Sequence, residues 1–231
     1  MNKMKKLALE NLYNEISNYY NSLEVKYNAF FDNLNYKVFF SKLSFDSDIM
    51  FLGINPGKGE QVKYYLPLDK LEYVDSEINN YALASQTLKA FDLAGYDGLL
   101  EKLDQQNKVL KTNIFYYCDQ DDKKIDFFRS QILSKEDEKI FWEKSINWTK
   151  EIIKNSNTKI IICEGKLVFD ILLDIFNNEE SIINIENLTI QIPSQKLVIL
   201  GYKRRYSNIL KIQDFSSNLR IELNKIYNEQ N

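Results

Sequence analysis

Polar residues follow the apolar runs of this chain at points where a binding crevice is expected. The run IMFL at residues 49–52 ends abruptly in the turn sequence GINPG at residues 53–57, a pattern typical of a buried strand followed by a tight turn. A second run rich in β-formers, VLKTNIFYY at residues 109–117, contains Thr112 and Asn113. Ligands of open α/β sheets bind beyond the carboxyl ends of the strands, so these polar residues are expected to share one crevice.

Glycine placement favours the same crevice. Five of the seven glycines come just after predicted strand ends, namely Gly53, Gly57, Gly59, Gly165 and Gly201. Turn chemistry alone accounts for any one of them, because glycine is the default residue where φ is positive. The expected crevice comprises residues 53–57, Asn113, Gly165 and residues 201–207.

Composition excludes several classes of chemistry. The chain contains 0 histidines, which excludes every mechanism that uses imidazole as an acid, a base or a metal ligand. The two cysteines, Cys118 and Cys163, are distant in sequence and too few for a zinc or iron–sulfur site. We therefore expect no metal and no other cofactor.

The charge balance restricts how the chain could bind nucleic acid. With 30 Lys and Arg against 33 Asp and Glu, the formal net charge is -3, which is not that of a bulk nucleic-acid binder. Contact with a polyanion must come from a local patch, and Lys203, Arg204 and Arg205 concentrate positive charge in one predicted loop. Such a loop suits phosphate contact, although a solvated basic loop would have the same sequence.

Length and hydropathy predict one domain spanning residues 1–231, with an entry helix at residues 3–27 packed on it. No apolar stretch approaches the roughly 20 residues that a membrane helix needs, and the N-terminal sequence becomes polar too early for a signal peptide. We expect a cytoplasmic, monomeric protein without a membrane partner.

Hydrophobic periodicity predicts strands that alternate with helices. Helices are expected at residues 80–95, 134–155, 166–176 and 215–227, and strands at residues 48–52, 109–117, 158–163, 188–192 and 196–200. Ser134 and Asp137 have the spacing of a capping box at the start of one helix. The alternation predicts a three-layer α/β/α fold with a central, mostly parallel, four-stranded sheet.

The segment IMFLGINPG resembles the first motif of the uracil-DNA glycosylase superfamily, in the form found in its mismatch-specific and thymine-DNA glycosylase branch. Three later segments fall in the order of that superfamily: KTNIFYY, KIIICEGKLVFDIL and KLVILGYKRRYSN. The resemblance implies a uracil-DNA glycosylase-like fold. It also implies an enzyme that binds DNA, flips out a uracil or modified pyrimidine and hydrolyses the N-glycosidic bond.

The resemblance assigns roles to individual residues. Asn55 is similar to the residue that positions the attacking water, and Asn113 to the asparagine that hydrogen-bonds the flipped base. An oxocarbenium-like transition state needs no strong base, and amide donors can stabilise the negative charge of the departing base. The other implied substrate-binding residues are Gly53, Ile54, Tyr64, Tyr65 and Ser207. Alternatively, Asn55 shapes an Asn-Pro turn, Asn113 caps the next turn, and the tyrosines belong to the core.

One segment departs from the superfamily and leaves the function open. Where the superfamily has an HPS-like or NPS-like segment, this chain has GYKRRYSN at residues 201–208, without His or Pro. A second hypothesis is therefore a non-catalytic glycosylase-like protein that binds modified or damaged nucleic acid or a protein partner. An unrelated α/β hydrolase or nucleotide-binding domain is disfavoured, because the sequence has no GxSxG, P-loop or GxGxxG motif.

Overall fold

The structure is a computed structural model that describes residues 2–28, 36–57, 67–118, 126–205 and 208–227. Within these residues, the central sheet has six strands in the order β2-β1-β3-β6-β5-β4. The strands are β1 (Ile49–Gly53), β2 (Val109–Asn113), β3 (Ile160–Cys163), β4 (Ile182–Asn184), β5 (Thr189–Ile192) and β6 (Leu197–Gly201).

The prediction of a mostly parallel α/β sheet is confirmed, but the predicted number of four strands is wrong. Strands β2, β1, β3 and β6 are parallel, and β5 and β4 extend the sheet in antiparallel pairing. Only the 3₁₀ turn Pro193–Gln195 and one further residue join β5 to β6, and so short a connection requires antiparallel pairing. Strand β4 has three exposed residues, so no buried apolar run marked it in the sequence.

Helices cover both faces of the sheet. They are α1 (Asn2–Lys26), α2 (Ala82–Leu93), α3 (Leu99–Gln105), α4 (Lys135–Ser156), α5 (Lys166–Ile175) and α6 (Ile212–Tyr227), with a π-helical turn at Phe128–Ile132. The sequence patterns did not predict α3, whose residues Leu99, Leu100 and Leu103 are buried. It is only seven residues long, which is too short for the helical period to stand out.

The predicted start of α4 at Ser134 is confirmed, but only half of the capping box forms, since the Ser134 N–H donates to the Tyr27 hydroxyl and not to Asp137. The Ser134 hydroxyl accepts a hydrogen bond from the Asp137 backbone N–H at 3.1 Å, which satisfies one of the amide donors left open at a helix N-terminus. The helix ends at Ser156, and the C-cap residue Asn157 adopts the left-handed conformation with φ 53 and so closes the last turn.

The alternation of side chains along β1 divides the core into two layers. Met50 and Leu52 pack with residues of α1, α4 and α5, whereas Ile49 and Phe51 pack with residues of α2, α3 and α6. Successive strand residues point to opposite faces, so each face of the sheet buries its own set of helices. The described residues therefore form three layers, helix, sheet and helix.

Leu9, Ile16 and Tyr20 of α1 are fully buried in the first of these two layers. In the part of the chain that the structure describes, no helix combines the length and apolar character needed to cross a bilayer.

Two short antiparallel strands, β7 (Lys203–Arg205) and β8 (Asn208–Leu210), follow β6. The sequence predicted a basic loop here, and the structure instead places the basic residues on a hairpin strand. All three side chains of β7 are exposed, so this strand left no apolar pattern in the sequence.

Candidate functional site

The parallel strands end together at one edge of the sheet. Gly53 pairs in register with Asn113, Leu52 with Cys163, and Cys163 with Gly201. The residues that follow these positions therefore meet at a shared edge, where ligands of open α/β sheets bind. We call this edge the strand-end site; it comprises the GINPG turn at residues 53–57, Asn113, Glu164 and Gly201.

The GINPG turn runs beside the end of β2. The Gly53 carbonyl accepts a hydrogen bond from the Ile114 N–H at 3.0 Å, and the Ile54 carbonyl accepts one from the Phe115 N–H at 2.9 Å. Regular strand pairing of β2 stops at Asn113 although the apolar sequence continues to Tyr117. The predicted end of this strand at residue 117 is therefore wrong.

Asn55 is half-buried in the GINPG turn. Its side-chain Nδ2 donates a hydrogen bond to the Pro56 carbonyl at 3.2 Å, so the amide shapes its own turn. This bond uses one of the two N–H donors of the amide, and the Oδ1 acceptor is not part of it. The contact is compatible with a role in orienting water as well as with a role in the turn alone.

Gly53 leaves space for two polar side chains at the end of β1. A Cβ on Gly53 would lie 2.1 Å from Oδ1 of Asn113 and 3.0 Å from Oε2 of Glu164. Any larger residue would displace these side chains. Glycine is needed here for close approach and not for an unusual backbone conformation.

A buried ionic cluster adjoins these side chains. Lys111 Nζ contacts the Oε1 of Glu164, the hydroxyl of Tyr73 at 2.8 Å and the Oε1 of Glu72 at 3.3 Å. The Tyr73 hydroxyl also donates to Oε1 of Glu164, and the Tyr81 hydroxyl donates to Oε1 of Glu72. Buried charges require such pairing, because burial without a partner is strongly unfavourable.

Burial is the main influence on the acidic groups of the cluster. It raises the pKa of Glu72, and the nearby Lys111 ammonium partly offsets this rise. Burial, followed by the Glu164 carboxylate, holds the pKa of Tyr73 well above its usual range. Tyr73 therefore remains a neutral donor at physiological pH.

Tyr202, the residue after β6, has a buried hydroxyl with no hydrogen-bond partner among the described residues. Burial, followed by the Glu164 carboxylate, raises the pKa of this hydroxyl well above its usual range. Tyr202 is therefore a neutral donor that the described protein atoms leave unused. Unsatisfied buried hydroxyls are uncommon in native proteins.

Lys37 adds a second amine near the cluster. Burial lowers the pKa of Lys37 to about 8, with Cys118 and Glu72 opposing the shift. The Lys37 backbone N–H donates to the Tyr116 carbonyl at 2.9 Å, which holds the residue beside the segment that follows β2. The effect of Glu72 on this pKa links Lys37 to the electrostatics of the strand-end site.

The predicted basic residues begin two positions after Gly201, at the same edge of the sheet. Lys203, Arg204 and Arg205 are exposed on β7. Neither Lys203 nor Arg204 forms an ion pair with another described residue. The predicted substrate-binding residues Tyr64, Tyr65 and Ser207 lie outside the described residues.

The sequence patterns did not single out Lys111, Glu164, Glu72, Tyr73, Tyr81 or Tyr202. Two of them carry a local signal: Lys111 lies in a strand whose five residues are all buried, and Glu164 follows directly on the apolar run IIIC. A charged residue in such a position requires a buried partner. The tyrosines carry no such signal, since the chain has 15 of them.

In the ranges that the structure describes, no group of three or more His, Cys, Asp or Glu side chains is arranged to hold a metal ion. Cys163 is fully buried, and burial raises the pKa of its thiol. A thiol in this state is a poor nucleophile, so the polar chemistry of the strand-end site rests on amide, carboxyl, ammonium and phenol groups.

The chain matches no protein-family model, and no curated protein shows significant similarity to it. Support for a function therefore comes from the geometry of the strand-end site and from the resemblance of its motif residues to those of the uracil-DNA glycosylase superfamily.

Proposed function

We propose that the chain is a DNA glycosylase that flips a uracil or modified pyrimidine out of DNA and hydrolyses its N-glycosidic bond, on a uracil-DNA glycosylase-like fold. The juxtaposition of the GINPG turn with Asn113 at the carboxyl edge of a mostly parallel sheet carries this proposal. In this arrangement the two motif asparagines come from adjacent strand ends, as a site for one small ligand requires.

Asn55 is the proposed water-positioning residue. A glycosidic bond that breaks through an oxocarbenium-like transition state needs an oriented water and no strong base. A half-buried amide can provide that orientation, and it does so without histidine. The bond from Nδ2 of Asn55 to the Pro56 carbonyl fixes the amide in one orientation before the substrate binds, which favours catalysis by lowering reorganisation.

Asn113 is the proposed base-recognition residue. Its side chain lies directly over Gly53, and the residue is only 3% exposed. A base inserted at the end of β1 would therefore meet the Asn113 amide in a place from which water is largely excluded. Hydrogen bonds formed there are stronger than in water, and they can stabilise charge on the departing base.

Lys203, Arg204 and Arg205 are the proposed DNA contacts. They are exposed on β7, which begins at the same sheet edge as the strand-end site. Basic side chains in this position would hold the phosphates that flank a flipped nucleotide and would make the affinity depend on salt.

Base release tests the proposal directly. Oligonucleotides bearing uracil, hypoxanthine, a thymine mismatch or a hypermodified pyrimidine are incubated with the protein, and alkali then cleaves any abasic site. We expect strand cleavage for at least one substrate with the wild type and a strong reduction with Asn55→Ala. Failure to release any base from this panel would contradict the catalytic proposal.

The segment at residues 201–208 favours a second candidate function, because it lacks both His and Pro. In this alternative the strand-end site recognises a modified or damaged base and does not cleave its bond. Binding of a modified oligonucleotide without base release, together with loss of binding when β7 is neutralised, would support the non-catalytic function.

A further inference from the structure

We propose that the outer side of β4 is a docking edge for an extended peptide segment that carries both apolar and basic residues. Such a segment adds a strand to the central sheet, and its backbone pairs with the backbone of β4. The inference is independent of the proposed function, because it concerns the last strand of the sheet and not the strand-end site.

The two edges of the central sheet differ in how the chain covers them. The segment at residues 36–40 lies along the outer side of β2, where the Phe40 N–H donates to the Lys111 carbonyl at 2.9 Å. β4 is the last strand at the other edge, and among the described residues no strand pairs with its outer side. An uncovered edge strand presents a row of backbone donors and acceptors, which is a template for a further strand.

Apolar side chains accompany this open edge. Ile182 is 63% exposed, Ile183 is 43% exposed and Ile185 is 52% exposed. The other exposed large apolar residues in the described ranges are at least three positions apart in sequence. Uncovered edge strands of native proteins usually carry charged side chains or Pro, which prevent pairing with another chain. Isoleucines clustered in this position therefore indicate an edge that a partner covers.

The charges beside β4 indicate the chemistry of that partner. Glu180 precedes the strand and Glu186 follows it, and both residues are exposed. Neither carboxylate forms an ion pair with another described residue. Residues 177–195, which include β4 and β5, contain three Glu and no Lys or Arg. A strand with Lys or Arg beside its apolar residues complements this charge.

The same charges disfavour a second copy of this chain as the occupant. Two β4 strands that pair antiparallel about a two-fold axis bring the Glu180 end of one copy beside the Glu186 end of the other. Like charges that face each other across paired strands are destabilising. A basic partner strand replaces this repulsion with attraction.

Peptide binding to the full chain tests the inference. Fluorescence anisotropy at low salt compares three short, blocked and labelled peptides: one of alternating Val and Lys, one with Glu in place of Lys, and one of the Val-Lys type with Pro at its two central positions. Pro removes the backbone donors that strand addition uses. We expect the Val-Lys peptide to bind at least roughly tenfold more tightly than either of the others. No binding of the Val-Lys peptide at millimolar concentration, or equal binding of either comparison peptide, would overturn the inference.

Charge reversal locates the binding edge. The double variant Glu180→Lys, Glu186→Lys should weaken binding of the Val-Lys peptide by roughly tenfold, because repulsion replaces attraction at both ends of β4. The double variant Glu77→Lys, Glu101→Lys makes the same change in net charge on exposed residues outside this edge and should have a much smaller effect. Equal effects would show that net charge, and not β4, attracts the peptide.

The apolar contact and the alternative occupant are tested separately. Ile182→Thr should weaken binding of the Val-Lys peptide by roughly threefold or more, because less apolar area is buried, and Ile221→Thr on α6 is the exposed control. Equal effects would contradict an apolar contact at β4. Light scattering reports the oligomeric state, and a dimer that Ile182→Thr dissociates would assign the edge to a second copy and overturn the inference. If circular dichroism shows a variant to be unfolded, the wild-type peptide comparison decides.

Discussion

Asn113 lies over Gly53 so closely that a Cβ on Gly53 would be 2.1 Å from Oδ1 of the Asn113 side chain. The residues belong to adjacent parallel strands and are paired in register. The absence of a side chain on Gly53 therefore determines where Asn113 can place its amide.

Gly53→Ala should displace the Asn113 amide and weaken binding of any base at the strand-end site. A distance of 2.1 Å is far below van der Waals contact, so either Asn113 or the strand must move, and overpacking of this kind typically lowers stability by about 1–3 kcal/mol. Calorimetric base binding and urea denaturation measure the two effects. Gly57→Ala is the control, because a Cβ on Gly57 would meet nothing within 4 Å; equal effects of both substitutions would contradict this account.

The buried ion pair should be sensitive to the removal of one partner. Lys111→Met leaves the Glu164 carboxylate buried without its ammonium partner, and such changes typically lower the free energy of unfolding by about 3–5 kcal/mol. The double variant Lys111→Met, Glu164→Gln should recover part of this stability, because no buried charge remains at that pair. Urea denaturation of both variants checks the prediction, and a double variant no more stable than the single one would be inconsistent with it.

Asn55→Ala should affect chemistry more than binding if the protein is a glycosylase. Without water positioning, the rate of base release is expected to fall by roughly 10²-fold or more, since an interaction in the transition state is removed. DNA affinity should change little, because the Asn55 side chain contacts its own turn. Single-turnover base release and fluorescence anisotropy distinguish the two effects, and a matching fall in affinity would argue for a structural role of Asn55.

Neutralising Lys203, Arg204 and Arg205 should weaken DNA binding in every sequence context. For each phosphate that the protein no longer neutralises, the slope of log affinity against log salt should become shallower by about one unit. Anisotropy titrations at several salt concentrations measure this slope.

A triple lysine variant of α1 provides the control for that experiment. Lys3, Lys5 and Lys6 lie at the start of α1. Lys5 contacts Asn157, which lies just before the first residue of β3, at the end of the sheet opposite the strand-end site. Their neutralisation changes the net charge by the same amount, so an equal fall in DNA affinity would show that total charge, and not β7, controls binding.

Asp137 should contribute to stability in a pH-dependent manner. The Lys26 ammonium and the Tyr27 hydroxyl lower the pKa of Asp137 from 3.8 to about 2. Because the folded-state pKa is the lower one, this contribution is complete above pH 3.8 and is lost as the pH falls towards 2. Asp137→Asn should lower the free energy of unfolding by roughly 1 kcal/mol at pH 7, a modest effect because the Lys26 partner is exposed to solvent.

The pH dependence distinguishes this ion pair from a simple change in packing. The difference between wild type and Asp137→Asn should shrink below about pH 3.8 and vanish only below the folded-state pKa of about 2. Urea denaturation at pH 7 and at several acidic values provides the comparison, with Ser217→Ala as an exposed helical control. A difference that does not change with pH would assign the effect to the cap alone.

Local sequence patterns were sufficient for much of the fold. The continuous apolar run of β3 predicted a buried parallel strand, because parallel strands are covered on both faces. The Ser134 and Asp137 spacing predicted the start of α4, because capping depends only on neighbouring residues. Short or exposed elements such as α3 and β4 were missed, since neither is long enough to show a hydrophobic period.

The sequence by itself determined the motif residues of the candidate site, whereas the tertiary structure decided their surroundings. Gly53 and Asn55 were identified in a short motif that follows a predicted strand, and Asn113 in a second motif that lies within one. The contact of Lys111 with Glu164 and the convergence of Glu164 with Asn113 depend on the strand order β2-β1-β3 and its register. Strand order and register arise from packing between segments that are distant in the chain, and local periodicity carries no information about which strands become neighbours.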